Sequence, residues 1–133
     1  MKRILLAEDD LDDQDIFRYV VNELDQDIEL SVVQDGEKLI EFIELLPETD
    51  LPHLIVLDQN MPRLRGNETL SVLRSRPRYR DIPIILYSTY FDKRFIHESQ
   101  RNEVELFLKP DTFDGLSKMI RELVSRFMPA TQD

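Results

Sequence analysis

The chain has 133 residues, a length that suits one domain, and a formal net charge of −10, from 17 basic against 27 acidic side chains. It has no cysteine, which excludes disulfides, thiolate metal sites and thiol catalysis, and it shows no basic stripe of the kind nucleic-acid binding needs. The opening Met1-Lys2-Arg3-Ile4-Leu5-Leu6-Ala7 begins like a targeting segment, but its apolar run stops at Glu8 and Asp9, and no stretch reaches membrane-spanning length, so a cytoplasmic protein is expected.

In chain order, short apolar runs alternate with longer amphipathic ones. Ile4 to Ala7 reads as a strand buried on both faces. From Leu11 to Leu24, apolar residues at helical spacing predict a helix. Ile28 to Val33 alternates as a strand, and Asp35-Gly36-Glu37 opens a second helix that Pro47 brings to an end. His53 to Leu57 is a third apolar strand, ending on Asp58, with a helix following from about Asn67 to Ser75. Pro83 to Tyr87 is a fourth strand, followed by a polar helix from about Lys93 to Gln100. Val104 to Leu108 is a fifth strand, and Phe113 to Phe127 a final amphipathic helix. Five alternating strand–helix units with doubly buried strands predict an α/β fold, a doubly wound parallel five-stranded sheet with helices on both faces. Ligands of such sheets bind beyond the carboxyl ends of the strands.

The residues at those ends carry the chemistry. The first strand ends in Glu8-Asp9-Asp10, the third in Asp58, the fourth in Ser88-Thr89 and the fifth in Lys109. Clustered carboxylates supply oxygen ligands for a hard cation such as Mg²⁺. One further carboxylate suits a nucleophile or phosphoacceptor, a hydroxyl can donate to a phosphoryl oxygen, and a lysine can neutralise charge on a transferring group. Acids crowded in this way would raise one another's pKa unless a cation and Lys109 offset their charge.

Each residue also has an ordinary reading. Asp58 alone is a turn acid. Asp12, Asp13 and Asp15 are adequately explained as acids at a helix N-terminus, where the dipole favours them. Ser88 and Thr89 could be loop hydroxyls, Gly66 a turn glycine, and the Arg74 to Arg80 stretch a solvated surface. His53 precedes a buried strand and His97 lies in a polar segment, so neither is assigned a role.

Taken together, Glu8-Asp9, then Leu57-Asp58-Gln59-Asn60-Met61-Pro62 with Gly66, then Ile82-Pro83 ahead of Ser88, then Lys109-Pro110, resemble the receiver domains of response regulators. The resemblance runs from about Arg3 to Phe127, and the opening acidic pattern is most similar to the single-domain members. It implies a flavodoxin-like (βα)5 fold with strand order 2-1-3-4-5. It assigns 1–128 to a receiver domain and 129–133 to a tail, leaving no residues for an output domain. It implies Asp58 as phosphoacceptor, with Ser88 and Lys109 binding the phosphoryl group. Mg²⁺ would be held by Asp9, Asp58, the Asn60 carbonyl and, through water, Glu8, and the Lys109–Pro110 bond would be cis. The partners implied are a sensor histidine kinase or histidine phosphotransfer protein and a downstream protein target, with no nucleic acid and no membrane. Exposed apolar positions on the last helix leave room for a homodimer.

The chain also departs from that pattern. Leu106 stands where many receivers carry an aromatic switch residue, with Phe107 beside it, and Arg101-Asn102-Glu103 replaces a common Gly-Ala pair. Bulky Tyr90, two residues after Ser88, is expected to slow hydrolysis of an acyl phosphate. A phosphatase using Asp58 would want a second carboxylate two residues on, where Asn60 stands; a flavin-binding protein would not place acids where a phosphate must bind. A receiver that signals by binding alone remains as a third reading.

Overall fold

The computed structural model describes residues 1–24, 26–101 and 104–128. Its sheet comprises β1 (Lys2–Ala7), β2 (Ile28–Val33), β3 (Leu54–Asp58), β4 (Ile84–Ser88) and β5 (Glu105–Leu108). All pairings are parallel and the order is β2-β1-β3-β4-β5, as expected. The helices are α1 (Leu11–Glu23), α2 (Gly36–Glu44), α3 (Gly66–Arg74), α4 (Lys93–Arg101) and α5 (Phe113–Phe127). Two short 3₁₀ turns at Glu48–Asp50 and Pro77–Tyr79 were not evident from periodicity, being too short to show one. Residues 129–133, read above as a tail, lie outside the described residues, as do Asn102 and Glu103.

Alternation along the strands divides the core in two. Leu6, Val56, Ile85 and Tyr87 pack under α1 and α5, with Phe17, Val20, Leu116 and Ile120. Leu5, Ala7, Ile55, Leu57 and Leu86 pack under α2 and α3, with Leu39, Ile43, Leu70 and Leu73. Every residue of β3 and β4 is buried. A Leu→Ala change at such a position costs about 2–5 kcal/mol.

Helix starts are set by side-chain caps. Asp10 accepts from the Asp13 N–H at 3.0 Å, Asp35 from Lys38 N–H at 2.8 Å and Thr112 from Gly115 N–H at 3.0 Å. Each such cap contributes about 1 kcal/mol. Asp35 is fully buried and also holds Arg63 at 2.9 Å, tying the loop after β3 to the start of α2. Arg63 itself has φ 66°, in the left-handed region.

Three expectations change. The arginines between Arg74 and Arg80 are not simply solvated. Arg74 Nη1 donates to the carbonyls of Tyr79, Arg80 and Ile82 at 3.3, 3.1 and 3.1 Å. Arg78 reaches the carbonyls of Ile43 and Leu46, and Arg76 pairs with Glu44. These donors close onto carbonyls in the loop before β4 and at the end of α2, where the helix dipole favours a cation. Among the described residues no peptide bond is cis, so Lys109–Pro110 is trans, the isomer an X–Pro bond intrinsically prefers. Gly66 has no positive φ. A Cβ there would lie 2.7 Å from the Asp58 carbonyl oxygen, so what it supplies is close approach of α3 to the end of β3.

Candidate functional site

The chain crosses the sheet in both directions from β1, to β2 on one side and β3 on the other, so the topological switch point lies between β1 and β3. Ala7 is in register with Leu57, which sets Glu8 beside Asp58; Asp58 is in register with Tyr87, and Lys109 N–H donates to the Ser88 carbonyl at 2.7 Å. Two-residue alternation then gives Glu8, Asp58, Tyr87 and Lys109 one parity, that of the α1/α5 side, and gives Ser88 the other. An open cleft above this edge is lined by Glu8, Asp9, Asp58, Asn60, Thr89 and Lys109, among others.

Glu8 is fully buried and carries most of the contacts. Its Oε1 accepts from Lys109 Nζ at 2.9 Å and from the Tyr87 hydroxyl, and its Oε2 accepts from Asp10 N–H at 3.1 Å. Gln14 Nε2 donates to its backbone carbonyl at 2.6 Å. Asp58 is buried; its Oδ1 accepts from Asn60 N–H at 3.1 Å and its Oδ2 lies 3.6 Å from Lys109 Nζ. Asn60 Nδ2 donates to the buried Ser88 hydroxyl at 3.0 Å, linking the ends of β3 and β4. Asp9 is exposed at the cleft, and Tyr90, next in the chain to the lining residue Thr89, is 71% exposed, its N–H 3.4 Å from Ser88 Oγ.

The electrostatics follow from the crowding. Burial, then a hydrogen bond and repulsion from Glu8, push the Asp58 carboxyl up to about 8. Burial acts on Glu8 in the same sense, but hydrogen bonds from Asp58, Tyr87 and Lys109 outweigh it and hold Glu8 below its usual range. The two carboxyls are therefore pushed apart, Asp58 up and Glu8 down. Burial and the Glu8 charge raise Asp9 as well. For Lys109, burial disfavours the ammonium, yet hydrogen bonds to Glu8 and Asp13 raise it, so it stays charged.

One carboxylate oxygen each from Glu8, Asp9 and Asp58 lies within 4.8 Å of the others, a spacing that a single divalent cation can bridge. Burial and the Glu8 charge raise both Asp58 and Asp9, and a bound cation would offset that charge.

Of the residues singled out in the sequence, Glu8, Asp9, Asp58, Asn60, Ser88 and Lys109 converge here. Two were missed. Asp13 accepts from Lys109 Nζ at 2.9 Å, so it is more than an acid at a helix start; its position one turn into α1 aims it back over the strand ends. Tyr87 had appeared only as a strand residue, though its parity with Asp58 is readable once the register is known. The histidines lie elsewhere. His53 exchanges two hydrogen bonds with Arg3 at the opposite end of the sheet, and His97 is exposed on α4.

At β5, Leu86 is in register with Leu106 and Tyr87 with Phe107. Leu106 packs on the α2/α3 side and Phe107 on the α1/α5 side, so no register shift brings the aromatic ring to the Leu106 position.

The comparisons agree with this arrangement. The response regulator Rcp1 of Synechocystis sp. is 29% identical over 128 residues, covering 93% of this chain and 87% of its own. The Mn²⁺-bound form of Rcp1 matches with a TM-score of 0.86 at 28% identity, over 100% of this chain and 99% of that one. The phosphorylated cyanobacterial phytochrome response regulator RcpA matches with a TM-score of 0.88 at 25% identity, over 98% and 96%. The sequence profile of the response regulator receiver domain matches residues 4–121, nearly the whole of the described sheet and its helices. With the fold, the acid cluster at the switch point and the family profile in agreement, the chain belongs to the response regulator receiver domain family.

Proposed function

We propose that this receiver accepts a phosphoryl group on Asp58 from a phosphohistidine and thereby switches a surface read by another protein. The observation that carries this reading is the position of Asp58. It is buried at the end of β3, within bridging distance of Glu8 and Asp9, with Lys109 Nζ 3.6 Å away. An Asp58 carboxylate oxygen attacks phosphorus, the N–P bond of the phosphohistidine breaks as the O–P bond forms, and the departing imidazole nitrogen keeps the electron pair and takes up a proton. Lys109 pairs with one phosphoryl oxygen, and the Ser88 hydroxyl donates to another once it leaves Asn60. The attacking form of Asp58 is the carboxylate, which Lys109 favours.

Asp9, Asp58 and the Asn60 carbonyl would hold Mg²⁺, with Glu8 acting through water because both its oxygens already serve protein donors. Bound there, Mg²⁺ supplies positive charge to the transferring oxygens. The relatives support this: Rcp1 has a Mn²⁺-bound form and RcpA a phosphorylated one. The donor would be a sensor histidine kinase or a histidine phosphotransfer protein, and the phosphoryl group either switches a protein target or passes along a relay. The chain acts as a signalling domain that assists its own phosphorylation rather than as an enzyme turning over substrate. We place it in the cytoplasm; among the described residues no helix is long and apolar enough to cross a membrane.

An intact-mass spectrum after incubation with a small-molecule phosphodonor and Mg²⁺ tests the proposal. One added phosphoryl group, lost in Asp58→Asn and in EDTA, is the expected result. A folded protein that gains no mass under any donor would sink it and leave a receiver that signals by binding alone.

A further inference from the structure

Tyr87 has no part in the mechanism above, yet it touches two of its members. It is fully buried on β4, and its ring stands edge-on to Phe17 with centroids 5.8 Å apart and planes at 67°. Its hydroxyl donates to Glu8 Oε1, the oxygen that also takes Lys109 Nζ. The same ammonium lies 4.6 Å from the Tyr87 ring centroid, within range of the ring's negative face. An apolar residue would fill this part of the core without a hydroxyl to satisfy, and a buried hydroxyl is costly unless paired. Here the hydroxyl is paired, and its partner is a fully buried carboxylate at the head of the acid cluster. Full burial and the edge contact with Phe17 hold the ring in place.

We propose that Tyr87 is a positioning residue of the cation site: its hydroxyl fixes the Glu8 carboxylate, and its ring face seats the Lys109 ammonium between Glu8 and Asp58. This rests on the reading of Glu8, Asp9 and Asp58 as a divalent-cation site. A group that orients a metal-binding carboxylate typically changes affinity by tenfold or more when removed.

The test is Mg²⁺ affinity, measured by calorimetry without a phosphodonor on wild type and Tyr87→Phe. It is paired with the NMR signal of the Tyr87 hydroxyl proton in metal-free wild type and in Glu8→Gln. Tyr87→Phe keeps the ring, its packing on Phe17 and its face towards Lys109, so the fold is retained. The expected result is an approximately tenfold weaker Mg²⁺ affinity, with a slowly exchanging hydroxyl signal that moves in Glu8→Gln. A merely structural role would lower unfolding stability and leave affinity alone. Affinity within twofold of wild type, or a hydroxyl signal indifferent to Glu8→Gln, overturns the proposal. If wild type binds no Mg²⁺ at all, the cation-site reading itself fails and takes this role with it, whereas binding that Tyr87→Phe leaves unchanged overturns the role alone.

Discussion

Lys109 Nζ sits closer to Asp13, at 2.9 Å, than to Asp58, at 3.6 Å. The lysine is therefore shared among three carboxylates, of which Glu8 is the third, also at 2.9 Å. Any anion bound on Asp58 must draw the ammonium away from Asp13. Asp13→Asn removes that competitor and one negative charge facing the anion. Its affinity for beryllofluoride, a phosphoryl mimic, should rise threefold to tenfold, which is about 1 kcal/mol. A fluorescence or NMR titration beside wild type checks this; equal or weaker binding would show that Asp13 does not compete for the lysine.

The raised Asp58 carboxyl gives a pH dependence of definite sign. Its folded value of about 8 lies above its unfolded value, so folding takes up a proton, and stability present at low pH is lost as pH rises towards 8. Metal-free Asp58→Asn lacks this loss. At pH 8 its thermal midpoint should exceed that of wild type by at least the roughly 4 °C that about 1 kcal/mol produces in a domain of this size. At pH 4, near the unfolded value, the two should lie closest. Mg²⁺ binding should release a proton at pH 7 and almost none at pH 9, seen by calorimetry in buffers of differing ionisation enthalpy. Equal midpoints at both pH values would contradict the shift.

Gly66→Ala should act on Asp58 through the backbone. The added Cβ would meet the Asp58 carbonyl oxygen at 2.7 Å and Gln59 Cα at 2.9 Å, neither of which is the tip of a flexible side chain. Forcing them apart should cost about 1–3 kcal/mol and slow the gain of phosphoryl mass on Asp58. Urea unfolding and timed mass spectra read the two effects; a neutral outcome in both would mean that the loop yields without disturbing the strand end.

Tyr90 stands 71% exposed, its backbone N–H facing the Ser88 hydroxyl. A side chain of this bulk beside the path of attacking water should slow loss of the phosphoryl group. Tyr90→Ala should shorten the phosphoryl half-life severalfold, followed by the decay of the phosphorylated mass after donor removal. An unchanged half-life would place the water path elsewhere.

Much of this molecule was legible in its sequence because the signals are local. The apolar run from Leu54 to Leu57 has to be a buried strand, and such a run that breaks at an acid puts that acid at a strand end. The same logic placed Glu8, Ser88 and Lys109, and these four ends in order helped carry the family resemblance. The boundaries of β2 and α5 match the periodicity residue for residue.

What the sequence could not decide depended on register and on contacts between distant segments. Tyr87 looked like any strand residue until its pairing with Asp58 put the two on one face. Asp13 looked like a helix-start acid until α1 packed so as to bring it to Lys109, 96 residues away. The stretch from Arg74 to Arg80 looked solvated because the carbonyls that Arg74 and Arg78 serve, ahead of β4 and on α2, become neighbours only when the layers close. By itself the sequence determined the strands, the helices and the acids at their ends, since periodicity is a property of adjacent residues. The tertiary structure alone decided which side chains hold Glu8 and Lys109, since those partners meet across four strands and a helix.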